Sequence, residues 1–325
     1  MKKSRYISKL KLAVFVSCII SGTATYILLS LAANAGRKQA LLKNVPSDYA
    51  RYASMGYAYE TVSNKTNIII SVTDGDELAR LQLWTFDEDK KTLDILEIPP
   101  ETALSADNFE GTVSQAFESG VYRDIVSRAL MLDISGSFVM DAEALSHIAS
   151  SFGGIEIKLS KPIEIGENTL AKGKRTAAGS VAGIIASDSE AYSDGSQERA
   201  ELFIQITASI IRSMNDRGAV EWFAALMDII TNEIGTDMNI SRLLELVNLS
   251  NRIRIDDVNI MLLPGQSTKN GFYLAETDKA AKLLNERFRV KGSDFDADKL
   301  GFTITDGVME QYPSEKTKIK ENETK

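Results

Sequence analysis

"KTLDILEIPPETAL", Lys91 to Leu104, decides how the rest of the chain is read. Leu93, Ile95 and the Leu96–Ile98 pair outline an alternating strand. It stops at Pro99-Pro100, where the ring removes the N–H that a sheet ladder requires. Glu101 and Thr102 follow at once. A strand that ends at a double proline sets the next side chains at the end of a sheet, where α/β proteins keep their chemistry.

Upstream, "TNIIISV" (Thr66 to Val72) is a short apolar run bounded by polar residues, the pattern of a buried central strand. "TDGDE" (Thr73 to Glu77) is a turn, "LARLQLWTF" (Leu78 to Phe86) alternates, and "DEDKK" (Asp87 to Lys91) is a hairpin-like loop. Downstream, Gly111 to Met131 has helical spacing through Val113, Ala116, Ile125 and Leu130, interrupted at Gly120. "SFVM" (Ser137 to Met140) is a strand. Asp141 caps the helix "AEALSHIASSF", since its carboxylate can accept the N–H groups of the first turn. Gly153-Gly154 ends that helix, where a left-handed residue is needed, and "IEIKL" (Ile155 to Leu159) is the next strand. In Gln197 to Met214, Phe203, Ile206, Ile210 and Met214 share one helix face. Further helices are expected over Val220 to Ile230, after a Ser241 cap, and from Asp278. "DDVNIMLLPG" (Asp256 to Gly265) ends as a strand and a Pro-Gly turn.

Composition excludes several function classes. The net charge of −8 over 325 residues argues against a nucleic-acid binder, which neutralises phosphates with a basic face. One cysteine, Cys18, excludes an internal disulfide. With a single histidine, His147, it also excludes His- or Cys-based zinc cages. His147 reads as a structural histidine, and Trp84 and Trp222 as core or interface residues.

The N-terminus sets the expected location. "MKKSRYISKLK" (1–11) carries five Lys or Arg and no acid, and residues 12–36 are uncharged. A spanning helix needs about 20 mostly apolar residues, and the basic flank stays cytoplasmic. A cleaved signal peptide is the competing reading, because Ala33-Asn34-Ala35 fits a small-x-small cleavage site. The expected organisation is a cytoplasmic segment 1–11, a transmembrane helix 12–36, a stalk 37–65, a main domain 66–216, an extension 217–291 packed on it, and a polar, disordered tail 292–325. The main domain then faces the outside of a cell membrane.

"LEIPPET", "VMDAEALSHIASSFGGIEIKL", "LAKGKRTAAG", "DGSQERAELFIQI" and "MLLPGQSTKNGFYL" occur in this order behind a basic-flanked anchor. Together they resemble the LytR-CpsA-Psr family of cell-envelope proteins, with the helix–Gly-Gly–strand piece the most specific. The resemblance implies a three-layer α/β/α fold with a mixed central sheet. It also implies magnesium-dependent transfer of a polyprenyl-linked glycopolymer to peptidoglycan or another envelope acceptor. Partners so implied are the lipid bilayer, the lipid-linked polymer, peptidoglycan and other envelope proteins. A pyrophosphate calls for arginine forks and a carboxylate-held metal.

Against that pattern the family's Ser-Ile-Pro-Arg-Asp-Thr is here Glu97-Ile98-Pro99-Pro100-Glu101-Thr102. An Arg-Ser-Asp falls on Glu77-Leu78-Ala79, and a strand with two arginines matches Val181 to Ser187, "VAGIIAS", which has neither. A Gly-Arg-x-x-Arg becomes Gly195-Ser196-Gln197-Glu198-Arg199, keeping only Arg199. The candidates for contact with the ligand are therefore Arg199, Arg80, Glu101, Lys172 and Arg175. Asp74 is the candidate magnesium ligand. Each has a plainer reading: Arg199 as a solvated arginine, Glu101 as a loop acid, Asp74 as a turn former before Gly75, and "KGKR" (Lys172 to Arg175) as a solvated turn. Arg80 adjoins Ala79, and alternation sets it on the opposite strand face. Two functions follow: a catalytically degenerate relative that binds lipid-linked glycan or a partner protein, or an active transferase with a rebuilt phosphate site.

Overall fold

The computed structural model describes residues 64–106, 109–165, 168–187, 196–217, 226, 228–250, 252–289 and 295–302. The basic segment, the expected membrane helix, the stalk before residue 64, Trp222 and residues 303–325 lie outside them. No helix among the described residues is long and apolar enough to cross a membrane.

A six-stranded sheet forms the centre. Its strands are β1 (Lys65–Asp74), β2 (Glu77–Asp87), β3 (Thr92–Ile98), β6 (Gly136–Asp141), β11 (Ile234–Thr236) and β12 (Val258–Leu262), in the order β11-β6-β1-β2-β3-β12, while β4 (Ala103–Ala106) with β5 (Phe109–Thr112) and β8 (Ile163–Ile165) with β9 (Asn168–Leu170) form separate small hairpins. β1 runs antiparallel to β2 and parallel to β6. β3 runs antiparallel to β2 and parallel to β12, and β11 is antiparallel to β6. The sheet is thus mixed. The apolar run Ile68-Ile69-Ile70 sits at its middle because a central strand is covered on both faces.

The period-two alternation of side chains divides the core. Ile69, Leu81, Leu83, Leu96, Ile98 and Val139 face α1 (Val113–Glu118), α2 (Tyr122–Leu130) and α7 (Thr277–Leu283). On the other side, Val72 and Met140 face α3 (Ala142–Ser151), α4 (Ser180–Ser187) and α5 (Ser196–Arg217). Ile68, Phe86, Leu93 and Ile95 look toward α6 (Ile240–Ser250). Helices therefore cover both faces. Leu300 and Phe302, at the start of the polar C-terminal region, are buried in the α1–α2 layer.

Several local expectations hold. Gly120, with φ +74°, separates α1 from α2. The Asp141 carboxylate accepts the Ala144 N–H at 2.7 Å, and Gly153 and Gly154 (φ +87° and +99°) end α3 before β7 (Ile155–Leu159). Two expectations fail. α6 is capped by Asn239, whose Oδ1 accepts the Arg242 N–H at 3.0 Å, and not by Ser241. "VAGIIAS" is the helix α4 rather than a strand. A short apolar run does not distinguish the two by periodicity. Here Ala182, Ile185 and Ala186 form a buried helical face. Gly179 and Gly183 lie one turn apart against α3. A Cβ on Gly183 would stand 2.2 Å from the Ala142 carbonyl oxygen, and one on Gly179 2.3 Å from Ser150 N. Close backbone contact between α3 and α4 rests on these two hydrogens.

Gly183→Ala is expected to destabilise the fold by about 1–3 kcal/mol, the usual range for overpacking, despite alanine's better helix propensity. A lower midpoint in urea unfolding at unchanged slope checks this. An unchanged or raised midpoint would mean that the two helices separate freely.

Candidate functional site

The turn after β3 is held from three directions. Pro99 and Pro100 bring no N–H, so the turn is tied through its carbonyls. Pro99 O accepts from Thr102 N and Pro100 O from Ser114 N, both at 2.9 Å. Thr102 O accepts from Val113 N at 3.0 Å, and Glu101 O from Tyr273 N at 2.9 Å. Tyr273 belongs to β14 (Tyr273–Ala275), which pairs with β13 (Gly265–Ser267), and its hydroxyl donates to Leu263 O at 2.5 Å. Helix α1 and this hairpin thus fix the backbone of Glu101.

From that position the Glu101 carboxylate accepts a hydrogen bond from Arg199 in the first turns of α5. The pair is mostly shielded, the side chains being 28% and 14% exposed. The β1–β2 ladder shifts register between Val72 and Thr73, so that Val72 stands opposite Arg80 while Thr73 stands opposite Leu78. Arg80 shares its face with Gln82 and Trp84 and points toward α4 and α5. It is 1% exposed, donates to Ala79 O at 2.9 Å and Ile185 O at 3.4 Å, and lies 5.8 Å from the Phe203 ring centroid. Beside it is Glu97, fully buried, with neither carboxyl oxygen hydrogen-bonded. Burial pushes its pKa up to about 8. The Arg80 charge pulls it down, and Glu101 adds to the rise.

Of the residues singled out in the sequence, the structure therefore gathers Arg80, Glu101 and Arg199 at one end of the sheet. Asp74 stays in the exposed β1–β2 turn opposite Glu77. Lys172 is exposed ahead of β10 (Gly173–Ala177), and Arg175 is half-buried on β10 opposite Ile157. His147 meets Glu233 at 2.7 Å on the surface. Among the described residues no three His, Cys, Asp or Glu side chains converge as a metal cage. Sequence reasoning missed Glu97. The available signal was an acid on the strand face that Leu93 and Ile95 bury.

A cavity of about 560 Å³ opens beside this cluster, within the range of small-ligand sites. The sheet contributes Ile70, Trp84 and Phe138, α5 contributes Phe203 and Ile210, and α6 contributes Leu246. The polar groups of its wall nearest Phe203 satisfy one another. Trp84 Nε1 donates to Gln82 Oε1 and Gln82 Nε2 to Thr207 Oγ1, both at 2.9 Å, and Thr207 Oγ1 donates to Phe203 O at 3.0 Å. The wall offered to a ligand is therefore apolar. Phe203 links cavity to cluster: its ring lines the one and lies near Arg80 in the other.

Glu97 makes stability pH-dependent in a definite direction. Its folded pKa lies above the unfolded value, so the folded state holds a proton that the unfolded state releases. Stability falls as pH rises from about 4.5 to about 8, by up to about 1.4 kcal/mol per pH unit. Glu97→Gln is expected to flatten this window, gaining on the wild type at pH 8 and not at pH 5. Urea unfolding across that range checks it, and parallel pH profiles would contradict it.

The LytR_cpsA_psr family model matches residues 81–289. No curated protein matches significantly. Solved structures share the fold at low identity. TagV of B. subtilis is 17% identical with a TM-score of 0.57, over 70% of this chain and 98% of its own. A LytR-Csp2A-Psr enzyme from Actinomyces oris is 15% identical with a TM-score of 0.58, over 72% and 91%. A structure described as TagT bound to LI-WTA is 14% identical with a TM-score of 0.56, over 70% and 92%. The family match spans most of the chain, from within β2 through β3, β6, β11 and β12, and takes in the Glu101 turn and α5, and the chain belongs to the LytR_cpsA_psr family.

Proposed function

We propose that this protein is a membrane-anchored, extracytoplasmic lipid-binding member of its family that serves cell-wall glycopolymer assembly without catalysing transfer. The observation that carries the reading is the apolar cavity between the sheet, α5 and α6, whose Phe203 wall also lies against Arg80. Family membership and a fold shared with a TagT structure bound to LI-WTA support a glycopolymer role. In this reading the cavity holds the apolar chain of a lipid-linked glycan, which leaves the glycan outside.

The donor set argues against transfer. A magnesium–pyrophosphate complex needs several converging oxygen ligands and free arginine forks. Glu101 and Arg199 are paired with each other, Asp74 lies in an exposed turn, and Glu97 favours its protonated form at neutral pH. The residues present do not fit that complex. Residues 12–36 anchor the chain, with residues 1–11 inside and the domain outside.

Three outcomes are expected. Leu246→Trp, which fills the cavity, weakens binding of a fluorescent polyprenyl lipid by about tenfold or more while leaving the unfolding midpoint near the wild type's. Wild-type protein given lipid-linked glycan and peptidoglycan fragments shows no transfer with or without magnesium. Magnesium-dependent transfer lost in Glu101→Gln or Asp74→Asn would identify an active enzyme instead. For topology, protease added to intact protoplasts digests residues beyond Gly36 and spares the basic N-terminus. Protection of the large domain would reverse the orientation.

A further inference from the structure

One segment joins the two edge strands of the sheet. β11 ends at Thr236 on one edge, β12 begins at Val258 on the other, and residues 237–257 cross between them on the cavity side. Both ends are pinned. Asp237 accepts from the Arg123 guanidinium and, at 2.8 Å, from Ser137 N. Met238 packs so closely on Gly136 that a Cβ there would stand 2.6 Å from its Cγ. At the far end β12 pairs with β3 along its length, and Asn259 Nδ2 donates to Asp94 Oδ1 at 2.9 Å. The middle is held differently. From Asn239 to Asp257, the hydrogen bonds and ion pairs among the described residues close within the segment: Asn239 with Arg242 N, Arg242 with Glu245 at 2.9 Å, Arg254 with Asp256 at 3.1 Å. Apolar contacts bind it to the sheet, through Leu243, Leu246 and Leu249 against the layer of Ile68, Phe86 and Leu93. Even these are incomplete. α5 buries Leu202, Phe203, Ile206 and Ile210, whereas Leu243, Leu246, Val247 and Leu249 of α6 are each half-buried. The cavity lies under α6, and a second recess of about 230 Å³ reaches it past Glu88, Arg242 and Glu245. Met238 and Leu246 border both spaces, so the helix is undercut from two sides.

Resting on the reading of the cavity as a lipid site, we propose that α6 is its movable wall. With its ends fixed at Asp237 and Val258, the segment lifts from the sheet, admits an apolar chain sideways and closes over it. The segment is long enough. Five strand spacings of about 4.8 Å separate β11 from β12, about 24 Å in all. The 11 residues of α6 span about 16 Å as a helix, and the residues flanking it reach about 30 Å more when extended. The helix therefore rises without unpairing either edge strand. No polar bond to the rest of the described residues breaks as it does so, and the contacts its leucines give up on the sheet are regained on the incoming chain. Local opening belongs to segments with few buried apolar contacts, which sets α6 apart from α5. A lifted wall also admits a long chain along its whole length, where an end-on route would have to thread it.

The test uses the full-length protein in detergent. Cys18 is the only cysteine, so Cys18→Ser combined with Glu88→Cys and Glu245→Cys leaves one reactive pair, across the small recess and outside the cavity lining. A short bis-maleimide joins the pair and ties α6 to the body. Before that reaction the variant is expected to take up a fluorescent polyprenyl lipid as the wild type does. Afterwards uptake is expected to slow about tenfold or more, and lipid loaded beforehand to leave about tenfold or more slowly. Unchanged rates in the crosslinked protein would overturn the movable wall and leave the lipid site standing. Lipid taken up by neither the wild type nor the variant would remove the site itself and the inference with it. Hydrogen exchange on the wild type decides independently if the crosslink does not form. Amides of α6 are expected to exchange about tenfold or more faster than those of α5 over residues 202–211, and to slow when lipid binds. Amides of α6 as slow as those of α5, or unmoved by bound lipid, would overturn it.

Discussion

The site depends on how the chain leaves β3. Two consecutive prolines end the ladder and supply no N–H, so the backbone of the turn is tied to the rest of the molecule through its carbonyls. Those carbonyls are taken by Thr102, the first turn of α1, and Tyr273 of the β13–β14 hairpin. Glu101 therefore projects from a backbone fixed by segments far apart in sequence. Its pairing with Arg199 joins that turn to α5, the helix that also walls the cavity. Turn, hairpin, helix and cavity form one mechanical unit.

The cavity runs against the ordinary economy of a protein interior. Were a space of about 560 Å³ closed and dry, at roughly 24 cal/mol per Å³ it would cost about 13 kcal/mol, comparable to the whole stability of a domain. Large side chains such as Trp84, Phe138 and Phe203 border the space without filling it. Gln82, Thr207 and Trp84 turn their polar atoms on one another, so the wall offers little to hold water. A bound apolar chain would restore the missing contacts, which is why the reading rests on this feature more than on any single charged residue.

Much of the scaffold was legible in the sequence because local signals agreed with the global fold. The Asp141 cap, the Gly153-Gly154 terminus, the Gly120 break and the Pro99-Pro100 stop each have a mechanism confined to a few residues. "VAGIIAS" was misread because seven apolar and small residues fit either period. The deciding contacts, of Gly179 with Ser150 and Gly183 with Ala142, come from the earlier helix α3, well outside any local window. Of the site, Arg80, Glu101 and Arg199 were found as residue types, but their mutual engagement is a tertiary fact. Cavity and filled core share one composition, so the open space had no sequence signal. Glu97 did have one, an acid in register with Leu93 and Ile95, and it passed as part of a strand.

The order of strands across the sheet also bears on how the protein is made. Both edge strands, β11 and β12, come late in the chain, and the Asn259–Asp94 bond across the β12–β3 boundary spans 165 residues. A nascent chain that has emerged only through α5 has β6 and β3 as bare edges, each a ready template for a strand from a neighbouring molecule. Pairings this remote are slow to form, because a long loop must close before they are rewarded. The period of greatest exposure to misassembly thus lasts until Leu262 is available for pairing, after more than four-fifths of the polypeptide.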